Sequence, residues 1–129
     1  MNVELHEEEA MFMHYQLEMV TRETVVIRLF GELDHHAVEQ IRAKISAAIF
    51  QGTVTTIIWN LEGLSFMDSS GVGLVLGRMR ELEAVAGRTI LLNPSPTMRK
   101  VFQFSGLGPW MMDATEEQAI DRVRGIVNG

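Results

Sequence analysis

The sequence predicts a single α/β domain with a mainly parallel sheet, and three features of the 129-residue chain agree on this. Strand-length runs rich in β-branched residues alternate with segments whose apolar residues recur every three or four positions. Two strands come first with no helix between them, which predicts an antiparallel hairpin beside parallel strands. No repeat or linker divides the chain. The predicted order is β-β-α-β-α-β-α-β-α.

The opening hairpin is predicted from residues 12–30. Polar and apolar residues mix over 12–20, which we interpret as the first strand, and residues 21–23 form a polar break of hairpin length. Residues 24–30 are a β-branched run that is typical of a strand, and Gly31 is predicted to end it.

The first helix is predicted to begin after Asp34, whose carboxylate is suited to an N-cap, and to end at Gln51 and Gly52. Its apolar residues recur at the intervals of an amphipathic helix: Val38, Ile41, Ile45 and Ile49. Residues 54–61 are rich in β-branched side chains and predict a central strand buried on both faces. We expect residues 62–67 to form a loop.

The second half of the chain continues the alternation of helix and strand. The pattern predicts a long helix over 72–86, a strand over 88–92, a helix containing Met98 and Phe102, a short edge strand over 109–112 and a helix from Thr115 to about Val127. Two proline pairs, Asn93 with Pro94 or Ser95 with Pro96, are alternative starts of the third helix.

The composition excludes several functional classes. The net charge of -6 repels nucleic-acid phosphate and anionic lipid, so we expect neither direct nucleic-acid binding nor membrane association. Cysteine is absent, which excludes disulfides and thiolate chemistry. No apolar run approaches the roughly 20 residues of a membrane span. We therefore expect a cytoplasmic protein with a solvated acidic lead-in over residues 1–11 and one domain over 12–129.

The segment Asp68, Ser69, Ser70 and Gly71 joins the predicted loop to the second helix. Capping alone explains it, because aspartate and serine accept hydrogen bonds from the free N–H groups of a first helical turn. The functional interpretation is that a hydroxyl at the carboxyl end of a parallel strand is exposed for chemistry. A phosphate at this position would meet backbone donors and the positive end of the helix dipole.

Catalytic and nucleotide-binding interpretations of this segment fail on spacing. Gly71, Gly73 and Gly77 are one residue too widely spaced for a dinucleotide fingerprint, and neither a P-loop nor a nucleophile elbow is present. We expect no cofactor and no catalysis. Gly73 and Gly77, one turn apart, are instead predicted to let the helix backbone approach the sheet or a partner closely.

Two further groups of residues have alternative interpretations. Asp34, His35 and His36 suggest a metal site, but adjacent histidines on a helix point about 100° apart, so we favour capping by Asp34 and expect no metal. Most of the nine methionines are predicted to fill the core. If exposed beside the serines, Phe66 and Met67 would form an adaptable binding rim.

The motifs GELDHH (31–36) and LSFMDSSGVGLVLGR (64–78) resemble those of the anti-sigma factor antagonists, which are members of the STAS domain family. VVIRLF precedes the first motif, NLEG precedes the second, and MRKVFQFSGL follows at residues 98–107. The resemblance covers roughly residues 13–125 and is greatest to the sporulation branch, the antagonists of the anti-sigma F factor.

The resemblance implies a single STAS domain with a four- to five-stranded mixed sheet and helices mainly on one side. It also implies a partner switch. The unphosphorylated antagonist binds an anti-sigma factor that is a serine kinase and thereby releases the sigma factor. Phosphorylation of Ser69 by that kinase switches the antagonist off, and a serine phosphatase resets it.

The resemblance also suggests which residues form the partner surface: Asp34, Asp68, Ser70 and Gly71 from the motifs, with Phe66, Met67 and Gly73 beside them. Two other interpretations stay open at this point. One is a STAS scaffold or sensory module of a stressosome-like or transporter-associated complex. The other is a small hydrolase with Ser69 as its nucleophile.

Overall fold

The computed structural model describes residues 15–125 and contains one five-stranded mixed sheet. The strands lie in the order β1-β2-β3-β4-β5, with β1 and β2 antiparallel and all other neighbouring pairs parallel. This confirms the predicted hairpin beside a parallel sheet. The strands are β1 Tyr15–Met19, β2 Thr24–Leu33, β3 Thr56–Met67, β4 Arg88–Leu92 and β5 Met111–Met112.

Four α-helices connect or follow the parallel strands, which confirms the predicted order of elements. They are α1 His35–Phe50, α2 Ser69–Glu83, α3 Pro96–Phe104 and α4 Glu116–Val123, and a 3₁₀ turn spans Gly108–Trp110 before β5. The last helix ends at Val123, before the predicted Val127, and residues 126–129 lie outside the described part. The lead-in predicted over residues 1–11 also lies outside it.

A capping side chain precedes each helix and determines where it begins. Asp34, Asp68, Ser95 and Thr115 each accept a hydrogen bond from a backbone N–H two or three residues further on. These bonds satisfy donors that the first turn of a helix leaves free. Ser95 starts α3, which decides between the two alternative starts. α2 begins at Ser69, earlier than the predicted residue 72, because Asp68 is its cap.

The core lies mainly between the sheet and α1, α2 and α3. Alternate strand residues such as Val25, Ile27 and Ile57 face these three helices, in one cluster with buried residues of each helix. The residues between them, such as Val26 and Ile58, face α4 and pack with Ala119. The prediction of helices mainly on one side is confirmed, and α4 covers the opposite face.

Two strands extend further than the sequence predicts. β2 continues through Gly31 to Leu33, and β3 includes residues 62–67, which were expected to form a loop. The pairing of β2 with β3 shifts register between Arg28 and Phe30 and again between Gly31 and Glu32. Gly31 has a φ of 62°, a left-handed conformation that glycine adopts without steric cost. Gly31 therefore lies at an irregularity inside the strand and does not end it.

No helix among residues 15–125 is long and apolar enough to cross a membrane.

Candidate functional site

The candidate site lies where β2 and β3 end side by side. Leu33 and Met67, the last residues of these parallel strands, are register partners. Asp34 and Asp68 follow them directly and cap α1 and α2. The two helix N-termini therefore open at the same edge of the sheet, which we call the serine edge. The structure thus brings the GELDHH and DSSG motifs together.

The two serines of this edge have different surroundings. Ser69 is the first residue of α2, it is exposed, and its hydroxyl makes no hydrogen bond to any residue that the structure describes. The hydroxyl of Ser70, in contrast, donates to Asp68 Oδ1 at 2.6 Å, and the Ser70 backbone N–H donates to the same oxygen at 2.9 Å. Of the two serines, Ser69 is therefore the one whose hydroxyl has no hydrogen-bond partner among the described residues.

The carboxylate of Asp68 is held in its ionised form. The hydrogen bond from the Ser70 hydroxyl lowers its pKa most, with a further contribution from the Ser70 backbone N–H. The backbone N–H of Gly71 and the nearby His35 make smaller contributions in the same direction. Asp68 thus serves as a cap and adds a fixed negative charge beside Ser69.

Met67 and Gly71 belong to the interior of the site and not to its surface. Met67 is only 1% exposed, which confirms the prediction that it fills the core, and the exposure on which a binding rim at Met67 depended is not found. As the last residue of β3, its side chain points to the core face and lies under the first turn of α2. A Cβ on Gly71 would lie 2.7 Å from Met67 Cβ. Gly71 is therefore buried too, and it allows the helix to approach Met67.

Phe66 and Gly73 lie at the surface of the site. Phe66 is 45% exposed, as a rim residue must be. A Cβ on Gly73 would meet no atom within 4 Å, and the same is true of Gly77. The proposed close approach of these glycines to the sheet is therefore wrong. Their close approach to a partner stays a prediction.

The histidines of the GELDHH motif are exposed side chains of α1. His36 Nε2 lies 3.1 Å from Gln40 Nε2, so this ring pairs within its own helix. Among residues 15–125, no group of three or more histidine and acidic side chains could hold a metal ion. No histidine in that range hydrogen-bonds to Ser69, so the structure shows no base that would activate this hydroxyl.

Phe30 is an exposed residue near the serine edge that the sequence analysis did not single out. It lies in the irregular part of β2, and 41% of it is exposed. The available signal was a phenylalanine at the end of the predicted strand over 24–30, directly before Gly31.

Comparison with known proteins identifies the family. The family model of the STAS domain matches residues 16–119. An anti-sigma F factor antagonist of Lysinibacillus sphaericus is 99% identical over 117 residues, which make up 91% of this chain and 100% of that protein. This chain belongs to the STAS-domain family of anti-sigma F factor antagonists. These are regulatory proteins, and the family is not one of enzymes.

Two solved structures of relatives support the same assignment, each at 94% sequence identity. The anti-sigma factor antagonist SpoIIAA in its unphosphorylated form has a TM-score of 0.85, and the match covers 88% of this chain and 99% of that chain. The Bacillus cell fate determinant SpoIIAA in the phosphorylated form has a TM-score of 0.79, covering 84% and 98%. The STAS fold is thus known for this family in both states.

Proposed function

We propose that this STAS-domain antagonist is a phosphorylation-controlled partner switch with Ser69 as its phosphoacceptor. In the unphosphorylated form it binds an anti-sigma factor that is also a serine kinase, and the sigma factor is released. The kinase then phosphorylates Ser69, which weakens the complex, and a serine phosphatase restores the first state. The observation that carries the proposal is the exposed hydroxyl of Ser69, at the first residue of α2, which hydrogen-bonds to no other residue within 15–125.

The choice of Ser69 over Ser70 follows from hydrogen bonding. Phosphorylation of Ser70 would require its hydroxyl to leave Asp68, and would place a second negative charge directly against that carboxylate. Phosphorylation of Ser69 breaks no hydrogen bond to a residue that the structure describes. In the proposed partner surface, Asp34, Phe66 and Gly73 surround Ser69. Met67 and Gly71 support this surface from the interior. Asp68 and Ser70 fix the first turn of α2.

The charge of the phosphate accounts for switching without unfolding. A phosphoserine carries about -1.5 to -2 charges at neutral pH. At the N-terminus of α2 that charge is favourable to the helix, so the fold is retained. In the complex, a charge that is buried or repelled at an interface costs roughly 2–5 kcal/mol, or about 30- to 4,000-fold in affinity. The exposed carboxylates Asp34 and Asp68 make the same edge acidic before modification.

The test begins with the phosphoacceptor. Incubation with the cognate anti-sigma kinase and Mg-ATP is expected to add one phosphate, which peptide mass spectrometry should locate on Ser69. Ser69→Ala should bind the kinase but accept no phosphate, whereas Ser69→Asp should fold and bind weakly. Ser70→Ala is the matched control and should still be phosphorylated. Modification mainly at Ser70 would refute the assignment.

We further propose that the protein has no catalytic activity of its own and acts in the cytoplasm, without contacting nucleic acid or a membrane. The first point is supported by the Ser69 hydroxyl, which donates no hydrogen bond to a base among the described residues. The net charge of -6 supports the expected lack of contact with nucleic acid or a membrane. A fluorophosphonate probe should leave Ser69 unlabelled, while labelling of Ser69 would favour the hydrolase alternative over the switch.

A further inference from the structure

The face of the sheet that carries α4 is not covered over its whole length. Glu116, the first residue of α4, hydrogen-bonds to Arg28 on β2 and Asn60 on β3, with donor–acceptor distances of 2.5–2.7 Å. The N-terminus of α4 therefore lies at the level of Arg28 on β2 and Asn60 on β3. β2 continues to Leu33 and β3 to Met67, so the strand ends next to the serine edge extend beyond the helix.

Two aromatic side chains lie on this uncovered part of the sheet. Phe30 precedes Gly31 on β2 and is 41% exposed, and Phe66 on β3 is 45% exposed. Leu29, directly before Phe30, and Met67, directly after Phe66, belong to the core on the helix-covered face. Because side chains alternate along a strand, both rings point away from α1–α3. Glu32, two residues after Phe30, is the register partner of Phe66. The two rings and Glu32 therefore form one surface.

The ring of Phe30 is held in place by a glycine. Phe30 is the register partner of Gly63, and a Cβ on Gly63 would lie 2.8 Å from Phe30 Cδ1. The ring thus lies against the Gly63 backbone, where any larger residue would displace it. A ring held in this way loses little conformational entropy when a partner covers its exposed side.

The charge next to these rings indicates what kind of surface they fit. Glu32, Asp34 and Asp68 are exposed carboxylates near the rings and Ser69. None of them forms an ion pair with a lysine or arginine that the structure describes. An interface with exposed aromatic anchors and an acidic rim is complementary to an apolar pocket flanked by basic side chains.

We propose that Phe30 is a second aromatic anchor, beside Phe66, for the kinase that binds at Ser69, and that it inserts into an apolar pocket rimmed by basic residues on that kinase. This inference rests on the proposed function, because the occupant is the same partner. It extends the partner surface from the serine edge onto the open face of the sheet. Phe30 contributes contact area, whereas Glu32 steers the approach.

Binding kinetics of the full chain with the cognate kinase, without ATP, test this inference. Phe30→Ala is expected to weaken binding about 10- to 100-fold, mainly through faster dissociation, as for an interface anchor. Glu32→Gln should mainly slow association, and its effect should fade at high salt. Phe30→Leu, which keeps an apolar side chain for the pocket, should bind more tightly than Phe30→Ala. The matched control is Phe104→Ala at the end of α3, a 94% exposed phenylalanine on a helix that packs against the opposite face of the sheet.

A second measurement avoids substitutions altogether. Hydroxyl-radical footprinting of the unmodified complex should protect Phe30 from oxidation and leave Phe104 reactive. Binding of Phe30→Ala within twofold of the original, or unchanged oxidation of Phe30 in the complex, would refute the anchor while leaving the Ser69 switch intact. If the original protein fails to bind the kinase, the proposed function and this inference fall together.

Discussion

Gly71 and Gly73 are two residues apart on the first turns of α2, yet only one of them needs to be glycine for packing. A Cβ on Gly71 would lie 2.7 Å from Met67 Cβ, and a Cβ on Gly73 would meet nothing within 4 Å. We expect Gly71→Ala to lower the free energy of unfolding by about 1–3 kcal/mol, as overpacking does. Gly73→Ala should raise it by about 0.5–1 kcal/mol, because alanine favours the helix. Urea denaturation of both variants measures the difference.

Gly73 also tests the partner surface. If the kinase approaches the α2 backbone closely, Gly73→Ala should weaken binding although it stabilises the fold. Gly77→Ala, one turn further from Ser69, is the control, since its Cβ is equally unobstructed in the free protein. Equal, unimpaired binding by both variants would show that neither glycine serves the interface.

Asp34 combines a capping role with a position at the serine edge. Its Oδ1 accepts from the Ala37 N–H at 2.8 Å. Asparagine is about as good an N-cap as aspartate, so we expect Asp34→Asn to keep the melting temperature nearly unchanged. Loss of the charge should nevertheless impair kinase binding or phosphorylation of Ser69. A large drop in melting temperature with normal binding would instead assign Asp34 a purely structural role.

At the scale of elements, one carboxylate of α4 hydrogen-bonds to two strands of the sheet. Glu116 accepts two hydrogen bonds from Arg28, each 2.7 Å long, and one from Asn60. We expect Glu116→Gln to lower the free energy of unfolding by about 1–3 kcal/mol, the range for charge-assisted hydrogen bonds. Glu117→Gln is the control. Its side chain is exposed on the same turn, so its effect should stay within about 0.5 kcal/mol.

The contribution of Glu116 should depend on pH in a defined direction. The hydrogen bonds from Arg28, followed by that from Asn60, lower the pKa of Glu116 below its ordinary value of 4.5. A carboxyl group whose pKa is lowered on folding stabilises the native state above its unfolded pKa, and this stabilisation is lost as the pH falls through the folded pKa. The stability difference between the original protein and Glu116→Gln should thus be constant near neutral pH and shrink below about pH 4.5. A difference that grows on acidification would contradict this account.

The elements that the sequence predicted well are those set by local chemistry. Caps such as Asp34 and Thr115, together with apolar periodicity, identified the helices, and β-branched runs identified the strands. The extensions of β2 and β3 were missed, because the register shifts around Gly31 depend on pairing between strands distant in sequence. The burial of Met67 agrees with the prediction that most methionines fill the core, but its position at the end of β3 was missed, because residues 62–67 were expected to form a loop.

At the scale of the whole molecule, the proposed phosphorylation of Ser69 is expected to affect the serine edge and not the core. The apolar core between the sheet and α1–α3 is remote from the Ser69 hydroxyl, which is exposed and makes no hydrogen bond to any described residue. A phosphate on Ser69 therefore breaks no contact within the described domain. It adds charge where the N-termini of two helices already favour an anion. The energetic cost of the modification must arise in the complex.

We therefore expect Ser69-phosphorylated protein to melt within a few degrees of the unmodified protein and to keep its circular dichroism spectrum, while its affinity for the kinase falls by at least about 30-fold. If this loss of affinity is electrostatic, raising the salt concentration should reduce the difference in affinity between the two forms, because screening weakens interactions between exposed charges. The affinity of Ser69→Asp should lie between those of the phosphorylated form and Ser69→Ala, because aspartate carries up to one negative charge fewer than phosphoserine. Calorimetric titration of all three at two ionic strengths provides the measurement. Weakened binding accompanied by a large fall in melting temperature would mean that the switch acts by unfolding the edge and not by charge at the interface.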